Sequence, residues 1–261
     1  MLKLHFLGTL SGTEPFPGMH HSAWILEAGG LFYWFEAGEN CAHQAYASGL
    51  DVMQTAALFV SHPHLDHIGG MANLLACIQK LEGRYHRQLV CDNTLSVFFP
   101  DLSLLPAIES VACGTTDPHF SFELDAHPLT DGCIFEDENL RVSAYHNLHL
   151  REDGSNGWHS FSFLLEADGR RIVFSGDLRH IEELDALVGD GCDLLIMETG
   201  HHHVDDVCRY AVSHRIPQLR LTHHGREIIE NRPACERLCA EWSAAHPICI
   251  HICSDGMTEE F

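Results

Sequence analysis

The segment from residue 62 to residue 67 constrains this 261-residue chain more than any other part of its sequence. It follows the apolar run Ala57–Ser61, which is typical of a buried β-strand. Four side chains of metal-binding type lie within its six positions, namely His62, His64, Asp66 and His67. A loop leaving a strand end can direct the first two to one metal ion and the last two to a second ion. Because a purely structural role would bury or solvate four polar groups to no purpose, the segment predicts a metal site.

The same run resembles the His-x-His-x-Asp-His signature of the metallo-β-lactamase superfamily. Three later segments are similar to the other ligand-bearing strands of that family: Arg141–His149, Arg171–Asp177 and Leu219–Gly225. In the first of these, the spacing from Val142 favours His149 over His146 as the ligand. In the last, His223 is favoured over His224 because it directly follows a threonine. Both alternatives stay open at the level of the sequence.

The resemblance implies a site for two divalent metal ions. The predicted ligands are His62, His64 and His149 for one ion, and Asp66, His67 and His223 for the other. Asp177 and a hydroxide would bridge the two ions. Zinc suits imidazole and carboxylate donors best, with manganese or iron as alternatives. Since a metal-bound water has a pKa of about 7, such a site supplies a nucleophile at neutral pH.

Both ends of the chain resemble the ribonuclease Z-like branch of this superfamily. Phe6–Gly12 is similar to the opening strand and loop of those members, and Ser254–Met257 is similar to their last strand and turn. One position departs from the family pattern, because Glu36 follows the third predicted strand where aspartate is common. A longer acid at this position could still hold a ligand histidine from behind.

Three residues are predicted to act in catalysis: Asp66, Glu198 and His201. Asp66 would orient the nucleophile in addition to binding metal. Glu198 matches, in residue type and strand position, a glutamate that assists catalysis in ribonuclease Z-like members. His201 would give the leaving group its proton, with His202 as the alternative donor.

Apolar patterns predict two similar halves built from short strands with helices outside them. Gly29-Gly30 and Asp168-Gly169 are predicted hairpin turns. The pattern is typical of an α+β fold arranged as a four-layer αββα sandwich, which the resemblance identifies as the metallo-β-lactamase fold. We predict one domain over residues 1–261. The segment Gly83–Gly132 shows few elements, and its prolines predict loop-rich structure that covers the cleft.

Charge and cysteine content limit the partners and the compartment. Lys and Arg total 15 against 37 Asp and Glu, so the formal net charge of −22 at pH 7 repels polyanions. The eleven cysteines include no Cys-x-x-Cys pair, so no disulfide framework or thiolate zinc site is indicated. The amino-terminal apolar run breaks at Gly8, and no apolar run approaches the roughly 20 residues of a membrane span. We therefore expect a cytoplasmic protein without a membrane partner.

These features together predict a metal-dependent hydrolase that uses a metal-bridging hydroxide, acting as a phosphodiesterase on a small or nucleotide-like substrate. The alternatives are a carboxylic ester, lactone or thioester hydrolase, and a non-catalytic metal-binding protein. We expect structured transfer RNA not to be a partner, because of the net charge. In addition, the tight turn at Asp168-Gly169 leaves no room for the arm that grips transfer RNA in ribonuclease Z-like members. A homodimer is the oligomer that the sequence leaves open.

Overall fold

The computed structural model describes residues 1–114, 119–150 and 157–261. Within these ranges lie two sheets of seven strands each. The first sheet consists of β1 (Lys3–Gly8), β2 (Ala23–Ala28), β3 (Leu31–Phe35), β4 (Thr55–Phe59), β5 (Thr94–Phe99), β6 (Glu123–Pro128) and β14 (Met257–Glu260). The second consists of β7 (Gly132–Glu136), β8 (Arg141–His146), β9 (Phe161–Ala167), β10 (Arg170–Phe174), β11 (Leu194–Thr199), β12 (Gln218–His224) and β13 (Cys249–Ile252). In space the orders are β14-β1-β2-β3-β4-β5-β6 and β13-β12-β11-β10-β9-β8-β7.

Helices cover the outer face of each sheet. They are α1 (Cys41–Ala47), α2 (Leu65–Ile68), α3 (Met71–Tyr85), α4 (Val90–Asn93), α5 (Leu105–Cys113), α6 (Asp185–Val188), α7 (Val204–Ser213) and α8 (Arg226–Ala245). Residues of α1, α3 and α5 share a buried cluster with the first sheet, and residues of α6, α7 and α8 share one with the second. The predicted four-layer αββα arrangement is therefore confirmed. In the described part of the chain, none of these helices is long and apolar enough to cross a membrane.

Both predicted hairpin turns are confirmed. Gly29 and Gly30 have φ angles of +60° and +82°, and Asp168 and Gly169 have φ angles of +50° and +72°. A two-residue turn with both central residues in this left-handed region follows the twist of the strands that it joins. Glycine adopts the region at little steric cost, and aspartate is one of the few other residues that tolerate it. The turns pair β2 with β3 and β9 with β10.

The layer between the two sheets is packed with aromatic rings. Trp24 stacks on Phe35 with 4.5 Å between ring centroids, and Phe35 stacks on Phe59 at 5.1 Å. Phe163 and Phe174 from the second sheet meet Phe35 edge-on at 5.9 and 6.1 Å. Offset and edge-to-face contacts of this kind add to the stabilisation from burial. These rings join the inner faces of the two sheets in one core.

The prediction of loop-rich structure over residues 83–132 is wrong. The strands β5 and β6 lie there and extend the first sheet in parallel from β4, and α5 packs behind them. Pro106 stands in the first turn of α5, where its missing N–H removes no helical hydrogen bond, so it does not interrupt the helix. Nor does the described part of this segment line the cavity that holds the predicted ligands.

We expect Ile172→Val to destabilise the fold by about 1 kcal/mol. Ile172 in β10 is fully buried in the core between the sheets, and the substitution removes one methylene that the packed neighbours cannot replace. Urea denaturation monitored by tryptophan fluorescence measures the change. Val111→Ala, at a side chain that is 75% exposed, is the control and should leave the free energy of unfolding unchanged. Equal loss in both variants would contradict this account of the core.

Candidate metal centre

The predicted ligands lie where strands of both sheets end. His62, His64, Asp66 and His67 follow β4, and His149 follows β8. Asp177 follows β10, and His223 is the penultimate residue of β12. All of these side chains except His64 and His149 are buried. Because these strand ends meet at one edge of the sandwich, residues up to 161 positions apart in sequence converge there.

The first cluster joins three imidazoles and one carboxylate. His64 Nδ1 lies 3.0 Å from His62 Nε2 and 3.3 Å from His149 Nε2. Asp177 Oδ2 lies 3.7 Å from Nε2 of both His62 and His149. Ligand atoms 2.0–2.1 Å from a tetrahedral ion lie about 3.3 Å from one another, so these distances match the shell of one ion.

The second cluster shares Asp177 with the first. His67 Nε2 and His223 Nε2 lie 3.2 Å apart, and Asp66 Oδ2 lies 3.2 and 3.1 Å from them. Asp177 Oδ1 lies 3.5 Å from the His67 nitrogen and 3.3 Å from the His223 nitrogen. One oxygen of Asp177 thus faces each cluster, which is the arrangement of a carboxylate that can bridge two cations.

The donor atoms of both clusters suit divalent metal ions. Asp177 Oδ1 is buried and has no hydrogen-bond partner among the described residues, which is costly for a carboxylate oxygen in an interior. Burial holds the pKa of His62 well below its ordinary value and lowers that of His149 to about 4, so both imidazoles keep a free nitrogen lone pair. Although Asp177 is buried, the neighbouring histidines His223 and His67 hold its pKa well below the ordinary value. Nitrogen and oxygen donors of this kind are those that zinc and similar metals prefer.

The structure shows where the two pairs of alternative ligand histidines lie. His149 and His223 belong to the clusters, whereas His146 and His224 do not. His146 stacks on Trp158 at 4.0 Å and lies 2.6 Å from Asp131. His224 is buried behind the site, where its Nε2 donates a hydrogen bond to the Cys253 carbonyl, and burial lowers its pKa to about 3.

Glu36 supports the second cluster from behind. Its carboxylate is fully buried, accepts hydrogen bonds from the Ser61 backbone N–H and lies 3.4 Å from His67 Nδ1. A carboxylate at the far nitrogen of a metal-binding imidazole orients the ring and increases its basicity. The backbone of Glu36 has a φ of +67°, an unusual conformation that brings the longer acid to this position. Glutamate therefore reaches the ligand histidine although the family commonly has aspartate here.

Glu36→Gln should weaken metal binding about 10- to 100-fold, because an amide cannot stabilise the His67 ring as a carboxylate does. Competition with a calibrated chelator measures the dissociation constant. The control is Glu27→Gln, which removes a carboxylate that pairs with Lys3 and His5 away from the site. If Glu36→Gln binds metal with unchanged affinity, Glu36 acts only as the hydrogen-bond acceptor for the Ser61 backbone N–H.

The predicted catalytic residues Glu198 and His201 lie beside the clusters. Glu198 is buried, accepts hydrogen bonds from the backbone N–H groups of Leu178 and His201, and lies 3.1 Å from His201 Nδ1. Although burial opposes its charged form, the hydrogen bond with His201 and the nearby His223 ring, 3.8 Å away, lower the pKa of Glu198 to about 2. The hydrogen bond to Glu198 in turn raises the pKa of His201. The alternative donor, His202, lies 3.6 Å from Glu198 but does not line the cavity over the clusters.

A cavity of about 500 Å³ opens over the clusters. Its described lining residues are Ser11, Gly12, Thr13, His64, Leu65, Asp66, His149, Asp177, Gly200, His201, His223, Gly225 and Arg226. Sequence reasoning missed the roles of Gly12 and Gly200. A Cβ atom at Gly12 would lie 2.9 Å from the Asp66 carboxylate, and one at Gly200 would lie 2.7 Å from His223 Nδ1. Each of these glycines lies close to the end of a predicted strand that carries site residues, and this position was the feature of the sequence that could have indicated its role.

Several curated relatives are ribonuclease Z proteins. A ribonuclease Z from Shouchella clausii (strain KSM-K16) is 26% identical over 85% of this chain and 86% of its own length. The ribonuclease Z of Nostoc punctiforme is 33% identical over 58% of this chain. This chain spans less than half of the length of that relative and of two further ribonuclease Z proteins. The chain is thus similar to ribonuclease Z proteins over more than half of its length.

Solved structures share the fold. YhfI of Bacillus subtilis, a metallo-β-lactamase fold protein, has a TM-score of 0.73 at 14% identity and covers 99% of this chain and 98% of its own. The short form of human tRNase Z has a TM-score of 0.70 at 21% identity, with the same coverage. Zinc-bound PqqB from Methylobacterium extorquens has a TM-score of 0.67 at 13% identity, covering 99% and 100%. The metallo-β-lactamase fold of this chain is confirmed.

Fold, site and relatives define a metal-dependent hydrolase of the metallo-β-lactamase superfamily, in its ribonuclease Z-like nuclease and phosphodiesterase branch. Within that class, the chain belongs to the family described as Anti-Pycsar protein Apyc1, whose family model matches residues 2–232.

The prediction that structured transfer RNA is not a partner is wrong. It conflicts with the similarity to ribonuclease Z proteins and to the human tRNase Z structure. The physical reason is that a net charge of −22 describes the average field of the molecule, whereas bound cations and nearby side chains set the field in a cleft. The predicted homodimer and cytoplasmic location stay predictions.

Proposed function

We propose that this protein hydrolyses phosphodiesters in small or nucleotide-like substrates, using two divalent metal ions, with zinc as the first choice and manganese or iron as alternatives. The observation that carries this proposal is the pair of adjacent ligand clusters that share Asp177, with one carboxylate oxygen facing each cluster. Two-metal sites suit the in-line displacement of an alcohol from phosphorus.

Each ligand has a role in this proposal. His62, His64 and His149 would hold one ion, Asp66, His67 and His223 would hold the other, and both groups would share Asp177. When bound, such ions lower the pKa of a coordinated water to about 7 and stabilise charge on the substrate oxygens. Asp66, which lines the cavity, would also orient the attacking water by accepting its hydrogen bond.

His201 supplies the proton in this proposal, and Glu198 positions it. Glu198 holds His201, which lines the cavity, through its 3.1 Å contact with Nδ1. The raised pKa of His201 favours its protonated form, which a general acid needs before it gives a proton to the departing alkoxide. Glu198 is a positioning residue, because it acts through His201.

A substrate panel tests the activity. We expect metal-loaded protein to hydrolyse bis-p-nitrophenyl phosphate and a nucleotide diester such as thymidylyl-(3′,5′)-thymidine, and to leave a lactone intact. The His64→Ala variant is the blank, because it removes a donor of the first cluster. Turnover of the lactone without turnover of either diester would overturn the phosphodiesterase assignment in favour of an ester or lactone hydrolase.

A second candidate function is the cleavage of structured RNA, which the ribonuclease Z relatives favour. The chemistry would be the same, since a phosphodiester links the nucleotides of RNA, and only the recognition of the substrate differs. A precursor transfer RNA in the same panel separates the candidates. Specific 3′-end cleavage of the RNA, faster than hydrolysis of the dinucleotide at equal concentration, would favour the nuclease.

His201→Ala should slow the hydrolysis of thymidylyl-(3′,5′)-thymidine about 100-fold. The same variant should slow the hydrolysis of bis-p-nitrophenyl phosphate less than about 5-fold. The reason is that a sugar alkoxide needs a proton to depart, whereas p-nitrophenolate is stable without one. Steady-state kcat on the two substrates measures the contrast, and His203→Ala, at an exposed neighbour that does not line the cavity, is the control. Equal slowing on both substrates would show that His201 is not the proton donor.

A further inference from the structure

The position of His149 in the first cluster depends on the loop that follows β8. That strand ends at His146, and His149 lies three residues further along the chain. Its Nε2 nevertheless lies 3.3 Å from His64 Nδ1 and 3.7 Å from Asp177 Oδ2. A metal ligand has to stay within about 0.5 Å of its productive position, which requires support from groups behind it. The groups that support this loop therefore affect how well the first cluster binds an ion.

Asn147 supports the loop through its side-chain oxygen. The residue is buried, and its Oδ1 accepts hydrogen bonds from the His149 backbone N–H at 3.2 Å and from the Ser160 hydroxyl at 2.5 Å. Ser160 Oγ in turn accepts a hydrogen bond from the Leu150 backbone N–H at 3.1 Å. The peptide groups on both sides of His149 are thus tied to one buried pair of side chains, Asn147 and Ser160.

The side-chain nitrogen of Asn147 connects the loop to the strands that carry the rest of the site. Nδ2 donates a hydrogen bond to Ser162 Oγ in β9 at 3.1 Å, and the Ser162 hydroxyl donates to the Ser175 carbonyl at 2.5 Å. Ser175 directly follows β10 and lies two residues before the shared ligand Asp177. Ser160, Ser162 and Ser175 are all buried, so a shift of the amide would leave polar groups unpaired in the interior, which is costly. The network therefore fixes the loop relative to Asp177.

We propose that Asn147 is a positioning residue for His149 and thereby sets the affinity of the first cluster for its metal ion. The inference rests on the proposed function, because it concerns one of the two ion sites that the function uses. Asn147 does not line the cavity over the clusters, so it acts through the backbone of His149. Loss of its amide leaves the His149 N–H without its acceptor and separates the loop from Ser162. The second cluster contains no residue of this loop and should be unaffected.

Zinc binding in two background variants of the full chain tests the proposal without relying on turnover. His223→Ala leaves the first cluster to bind zinc, and His64→Ala leaves the second. Competition with a calibrated chelator gives the zinc dissociation constant of each. Adding Asn147→Ala should raise this constant about 10- to 100-fold in the His223→Ala background and less than about 2-fold in the His64→Ala background. Ser162→Ala, which removes the partner of Nδ2 but keeps the acceptor for the His149 N–H, should raise it about 3-fold in the first background alone.

The matched control is Asn93→Ala. Asn93 also accepts a hydrogen bond from a backbone N–H, that of Leu89, and donates one to Glu82, but it does not line the cavity. It should leave the zinc dissociation constant unchanged in both backgrounds. An unchanged constant for Asn147→Ala in the His223→Ala background, or an equal rise in both backgrounds, would overturn the positioning role. If Asn147→Ala does not fold, Ser162→Ala decides by the same comparison. Failure of the phosphodiesterase assignment is visible separately, as a lack of diester turnover by the metal-loaded wild type.

Discussion

Asp177→Asn is expected to lower kcat for phosphodiester hydrolysis at least 1000-fold, a barrier increase of about 4 kcal/mol. The substitution keeps the size of the side chain but removes its charge and replaces one oxygen with an amide nitrogen that cannot bind a cation. Each oxygen of Asp177 faces one ligand cluster, so the loss affects both. Steady-state kinetics on bis-p-nitrophenyl phosphate at saturating metal measures the effect.

The control for this experiment is Asp190→Asn, which makes the same chemical change at an exposed position outside the cavity. Its kcat should match that of the wild type. Circular dichroism and thermal unfolding of both variants establish whether the fold is retained. If Asp177→Asn keeps more than about a tenth of the wild-type rate, Asp177 does not bridge two ions.

His223→Ala is expected to reduce bound metal from two equivalents to about one. His223 belongs to the second cluster and not to the first, and its Nε2 lies 3.1 Å from Asp66 Oδ2 and 3.2 Å from His67 Nε2. Without it, the second cluster keeps Asp66, His67 and a shared Asp177, and this set should no longer hold an ion through dialysis. Elemental analysis of protein loaded with zinc and then dialysed gives the count.

His43→Ala, at an exposed position of α1, controls for histidines that bind metal non-specifically, and it should keep two equivalents. The first cluster should be unaffected in His223→Ala, because its histidines His62, His64 and His149 lie on the other side of Asp177. One equivalent in the wild type, unchanged by His223→Ala, would contradict a dinuclear centre and leave the first cluster as a single-ion site.

Local sequence determined the parts of this protein that depend on neighbouring residues. The turns at Gly29-Gly30 and Asp168-Gly169 follow from residues that tolerate a positive φ, and the strand before His62 follows from its apolar run. The motif at residues 62–67 indicated a metal site because four potential metal ligands lie within six residues at a strand end. Spacing also favoured His149 and His223, which the structure places in the clusters.

Long-range packing determined the rest. The strands β5 and β6 were missed because their stability comes from the pairing of β5 with β4 and of β6 with β5, and from burial against α3 and α5, which no local pattern reveals. The support of His67 by Glu36 depends on an unusual backbone angle and on a 31-residue separation that only the parallel pairing of β3 and β4 closes. Likewise, Arg226 and Thr13 are 213 residues apart in sequence and meet at the cavity wall because β1 and β12 end at the same edge of the sandwich. Residue types and local spacing therefore determined which groups could bind metal, whereas the tertiary structure decided which of them face one another, because strand order and sheet packing are collective properties of the whole chain.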